Sequence, residues 1–111
     1  REVVISARAW QRLQDILGNL DEARMSLPVA EIDSHLRAGA QGARLADPGS
    51  INALALWHTY VVFLIRQGVD ASALAQRVGA VPPEVLATLM HYAPPDGNRP
   101  PGSIEFTHPA L

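Results

Sequence analysis

Apolar residues recur at helical intervals along most of this chain, and the breaks between them carry helix-capping chemistry. Val3, Val4 and Ile5 make a short β-prone start. Ser6 then stands as an N-cap ahead of Trp10, Leu13, Ile16 or Leu17, and Leu20, a spacing that predicts a first helix ending near Gly18 and Asn19. Asp21 to Ser26 reads as a polar connection. A second helix is predicted to open at Pro28, with Ser26 or Leu27 just ahead of it, because proline suits the first helical turn. Val29, Ile32, Leu36 and Ala40 form its apolar stripe, and Glu31, Asp33 and Arg37 fall on the solvent side. Ala38, Gly39, Ala40, Gly42 and Ala43 leave its end small and loose.

Asp47-Pro48-Gly49 is a turn, after which Ser50 is placed to cap a third helix over Ile51 to Gln67. That helix is apolar on most sides and is the expected buried centre. Gly68 ends it. Asp70 caps a fourth helix through Val78, Gly79 stops it, and Pro82-Pro83-Glu84 starts a fifth that runs to about Tyr92. From Ala93 onward proline and glycine dominate, so the tail is expected to be extended or disordered unless Ile104 and Phe106 dock. The pattern therefore predicts a mainly α protein: a compact bundle of about five helices with a short N-terminal extended segment. Residues 1–93 form the helical domain and 94–111 a Pro/Gly-rich tail.

Composition narrows this picture. With 48% hydrophobic and 18% charged residues, the 111-residue chain has the balance of one globular domain. It contains no cysteine, which removes disulfides, thiolate metal sites and a cysteine nucleophile. The longest apolar run, Ala53 to Ile65, includes His58 and Thr59 and is too short to cross a bilayer. No basic segment precedes a signal-like run, so a soluble, cytoplasmic protein without membrane association is expected. The start at Arg1 instead of Met points to processing or truncation. All basic residues are arginine, nine against eleven acids, for a formal charge of −2. That balance suits a mixed solvated surface and disfavours nucleic-acid binding by charge alone.

One block carries more specific information. INALALWHTYVVFLIRQGVDASALAQRVGAVPPEVLATLMHYAP, with its words His58-Thr59-Tyr60 and Gly68-Val69-Asp70, resembles the C-terminal half of the tyrosine-recombinase (phage-integrase) catalytic domain. Upstream, VISARAWQRLQDIL and SLPVAEIDSHLRAGAQGARLADPGS resemble the helices that precede this block, so the resemblance covers residues 1 to about 93. It implies a helical fold and, in intact members, DNA strand cleavage and rejoining by a tyrosine nucleophile. The departures are informative. The family's His-x-x-Arg pair falls on Leu54 and Trp57, its later histidine or tryptophan on Ala80, and its nucleophile on Leu89; its first arginine and its lysine would lie before Arg1. A tyrosine oxygen attacking a phosphodiester relies on guanidinium groups to hold the growing charge, and losing one such donor costs about a hundredfold or more in rate. This chain alone is expected not to cut DNA.

The residual candidates follow from that mapping. Tyr92 lies three positions beyond Leu89, about 300° further around an α-helix at roughly 100° per residue; it is either a displaced nucleophile or a capping aromatic. Trp57 suits packing where the family has arginine. Arg44, Arg66 and Arg77 flank the central helix and the following turn and are the best available phosphate contacts, with Asp47 and Asp70 near enough in sequence to offset two of them. Asp70 to Met90 also fits a helix-turn-helix, yet its second helix offers Pro83, Glu84, Ala87 and Thr88 where base-reading side chains belong. His35, His58, His91 and His108 show no metal-ligand spacing, and no cofactor or small-molecule substrate is indicated.

The functional expectation is a catalytically inactive recombinase-like domain that binds DNA, a second copy of itself or an intact recombinase. A protein-interaction module without a nucleic-acid role and a fragment of an active recombinase are the alternatives. The resemblance further implies that the tail acts as a docking arm between copies.

Overall fold

The computed structural model describes residues 6–17 and 28–109. It is mainly helical, as the apolar periodicity requires. Five α-helices are present among the described residues: α1 (Ala7–Leu17), α2 (Val29–Gly42), α3 (Ala53–Arg66), α4 (Ala71–Val78) and α5 (Pro83–Leu89). Short 3₁₀ turns lie at Pro48–Ser50, Met90–Tyr92 and Pro101–Ser103, and no strand occurs among these residues. The expected extended start at 3–5, the helix stop at Gly18 and Asn19, Leu20 and the connection up to Leu27 lie outside the described residues. The chain divides into two compact units, Ala7–Trp57 and a second built from His58 onward.

In the first unit, α1 follows Ser6 as expected, with Trp10 exposed. The stripe predicted for α2 is buried only toward its C-terminal end. Ala40 is fully buried, Ile32 and Leu36 are half-buried, and Val29, on the first turn, is 65% exposed. Pro28 stands just before the helix as its cap residue, its carbonyl accepting from the amides of Glu31 and Ile32. The end of α2 is ordered by paired backbone bonds: the Leu45 amide donates to Ala40 O and the Arg44 amide to Gln41 O. This is the Schellman arrangement, and it puts Arg44 at φ 55°, a left-handed position usually held by glycine.

The start of α3 departs from expectation. Ser50 belongs to the preceding 3₁₀ turn, its hydroxyl bonded to Asp47 O at 2.8 Å. Asn52 is the capping side chain, its Oδ1 accepting from the Ala55 amide at 2.7 Å. Asp33, expected on the solvent side, is half-buried and accepts from the Ala53 amide at 2.7 Å. Two otherwise orphaned donors of the first turn are thus satisfied, and a carboxylate faces the positive end of the helix dipole. Nor is α3 buried throughout: Leu54 and Leu56 are 61% and 50% exposed.

The second unit holds the larger core. Val61, Leu64 and Ile65 of α3 are buried with Val69, and with Leu74 and Val78 of α4. Each side chain removed from water contributes roughly 1.5–3 kcal/mol before entropy is counted. α3 closes with a second Schellman pair, Gly68 N to Ile65 O and Val69 N to Leu64 O, with Gly68 at φ 84°. Asp70 Oδ1 then accepts from the Ser72 and Ala73 amides, both at 2.9 Å, and Gly79 (φ 83°) ends α4 where the sequence placed it.

The tail docks. The Arg99 amide donates to Gly68 O at 2.8 Å. Gln67 meets residue 105 twice, its Nε2 donating to Glu105 O at 2.6 Å and its Oε1 accepting from Glu105 N at 2.7 Å. Tyr60 donates its hydroxyl to Phe106 O at 2.8 Å, the Arg77 guanidinium lies 4.1 Å over the Phe106 ring, and the Phe63 and His108 rings meet at 4.9 Å. Ile104 and Phe106 are both half-buried.

Candidate functional site

α3 carries His58, Thr59, Val62, Phe63 and Arg66 on neighbouring turns, at helical spacings that group them on one side. In the second unit these five residues are joined by Tyr92, from the turn after α5, and His108, from the tail. Together the seven line a cleft of about 340 Å³. The Arg66 guanidinium lies 5.0 Å over the Tyr92 ring, and Phe63 also stacks with Tyr60, centroids 6.2 Å apart. Among the described residues, no carboxylate lines the cleft. A second cavity, about 410 Å³, opens beside His58 and is lined also by Glu84, Val85, Thr88 and Leu89.

Tyr92 is placed by local geometry. α5 ends at Leu89, and Met90–Tyr92 tightens into a 3₁₀ turn. A 3₁₀ turn holds about three residues, so the α-helical count of about 100° per residue does not carry from Leu89 to Tyr92, and the two line different cavities. The α-helical offset expected from the sequence is corrected accordingly. His91 Nδ1 sits 3.0 Å from Thr88 O, and Tyr92 is 47% exposed.

The other sequence candidates are dispersed. Leu54 and Trp57 belong to the first unit, the former exposed and the latter half-buried. Ala80 is exposed in the α4–α5 connection, and Leu89 lines a cavity that Glu84 also lines. Arg44 is exposed in the first unit, whereas Arg66 and Arg77 lie over aromatic rings in the second. Asp70, a candidate to offset one of these arginines, is engaged in capping α4. Arg44, Arg66 and Arg77 have no carboxylate partner among the described residues; the ion contact there joins His35 and Glu31 at 3.9 Å. No polar or charged residue is buried among the described residues.

Sequence reasoning did not foresee the cleft. Thr59, Val62 and Phe63 read as the body of a buried helix, and His108 lies fifty positions from His58 with no local motif to mark it. No helix among the described residues is long and apolar enough to cross a membrane. No protein-family model, curated protein or solved structure matches this chain.

Proposed function

We infer that this chain is a recombinase-like helical domain that works by contact with a protein partner, an intact recombinase or a second copy of itself, and not by cutting DNA. The observation that carries this reading is the environment of Tyr92. It stands on the surface, 47% exposed, with the Arg66 guanidinium over its ring, and among the described residues no other cation lies over that ring. Phosphoryl transfer depends on converging charge in a water-excluded site, where electrostatic interactions gain their strength. The position matching the family's nucleophile is Leu89, beside Glu84, whose charge would repel a phosphate. Leu54 and Leu56 on α3 and Val29 on α2 are exposed apolar side chains that a protein contact would cover.

A suicide-substrate cleavage assay tests the absence of chemistry: no covalent DNA adduct is expected, and an adduct at Tyr92 overturns the reading. A pull-down and sedimentation series with an intact recombinase, with the chain alone as reference, tests the contact. Loss of the complex in Leu54→Asp and Leu56→Asp is the expected outcome, and no complex with either partner refutes it.

Direct DNA contact is the second reading. It is favoured by Arg44, Arg66 and Arg77, which have no carboxylate partner among the described residues, and a guanidinium over a ring, as at Arg66 and Arg77, can still donate N–H groups to phosphate. Titration with duplex DNA across salt concentrations separates the two. Tight binding that weakens steeply with salt supports DNA contact, and no binding at low ionic strength supports the protein partner.

A further inference from the structure

We propose that the cleft between α3, Tyr92 and His108 binds a small aromatic carboxylate, an activity that goes beyond the partner contact inferred above. The cleft's volume, about 340 Å³, falls in the range of small-molecule sites. Its chemistry is one-sided. Arg66 supplies a permanent positive charge, Thr59, Tyr92, His58 and His108 add polar atoms to the lining, and none of the described lining residues is acidic.

The Arg66 guanidinium lies 5.0 Å over the Tyr92 ring at the edge of the cleft. A guanidinium carries its N–H donors in a planar fork, which suits a carboxylate bound through two parallel hydrogen bonds. Arg66 has no carboxylate partner among the described residues, so that fork is available. Val62 and Phe63 form the apolar side of the same cleft, and the Phe63 ring contacts those of Tyr60 and His108. A charged fork beside an apolar, aromatic wall selects a ligand that carries a carboxylate at one end and a flat ring at the other.

The test is a set of titrations of the full chain, followed by NMR at the ring protons of His58 and His108 and at the Arg66 side chain, with benzoate as the probe. Saturable shifts confined to the cleft are expected. Acetate, which lacks the ring, benzyl alcohol, which lacks the charge, and benzylamine, which reverses it, should each bind at least about tenfold more weakly. Arg66→Leu should weaken benzoate at least about tenfold while leaving the resonances of the buried Val61, Leu64 and Leu74 in place, because Arg66 is exposed and outside the core. Equal shifts with benzoate and benzylamine overturn the proposal, as do shifts that do not saturate. Unchanged affinity in Arg66→Leu does the same. If a short DNA duplex moves these resonances at concentrations where benzoate does not, the site belongs to phosphate and the proposal fails.

Discussion

Gly68 joins the end of α3 to the tail, and replacing it with alanine tests both at once. Two costs add. The residue sits at φ 84°, where an L-residue loses roughly 1–2 kcal/mol relative to glycine. A Cβ built there would stand 3.1 Å from Arg99 Cγ, from the Arg99 amide nitrogen and from Gly97 O, two of them backbone atoms, so the tail backbone itself would have to give by a few tenths of an ångström. Overpacking of this kind typically costs about 1–3 kcal/mol. Gly68→Ala is therefore expected to destabilise the second unit by about 2–5 kcal/mol in denaturant unfolding followed by circular dichroism. Gly97→Ala is the matched control. Gly97 has φ 85° but nothing within 4 Å of its Cβ position, so the strain remains and the clash does not, and about 1–2 kcal/mol is expected. If the tail lifts off instead of resisting, Gly68→Ala costs less but exposes the Arg99 amide, whose hydrogen exchange should accelerate. Equal losses for the two variants, with unchanged exchange at Arg99, would show that the tail is not seated on Gly68.

Three further outcomes follow from the geometry. Arg44→Gly should stabilise the first unit by up to about 1 kcal/mol, because glycine relieves the left-handed strain at the end of α2; a loss of stability in thermal unfolding would mean the arginine makes a compensating contact. Asp70→Ala should cost about 1 kcal/mol by orphaning the amides of Ser72 and Ala73, with Asp70→Asn recovering most of it in the same unfolding measurement. Leu64→Ala, at a fully buried position, should cost about 2–5 kcal/mol, whereas Leu54→Ala on the same helix should stay within about 0.5 kcal/mol; comparable losses in denaturant midpoints would mean Leu54 is covered in solution.

Local chemistry was legible in the sequence and long-range chemistry was not. Asp70, Gly68 and Gly79 announce their helix boundaries because the groups they satisfy lie within four residues, and α4 begins and ends where they place it. The start of α3 was misread. Ser50 and Asn52 are both good capping residues two positions apart, and what distinguishes them is the 3₁₀ turn that engages Ser50 with Asp47. Asp33 could not be read as a partner of Ala53, since twenty residues separate them and an acid on a helix surface looks solvated. Apolar composition likewise made all of α3 look like core, although burial depends on what covers a face: Val61, Leu64 and Ile65 are covered, and Leu54 and Leu56 are not. The cleft was hidden for the same reason, because Arg66, Tyr92 and His108 converge only through tertiary packing.

The grip of Gln67 on residue 105 has an evolutionary corollary. The amide reads only the peptide group, donating to its carbonyl and accepting from its N–H, while the Glu105 carboxylate turns away to the Thr107 amide. Selection acting through that clasp is therefore blind to which side chain occupies 105, with proline the exception because it has no N–H to offer. Its neighbour Phe106, under the Arg77 guanidinium, is read by its ring. Adjacent positions of one short strap should thus drift at very different rates, one nearly free and the other held.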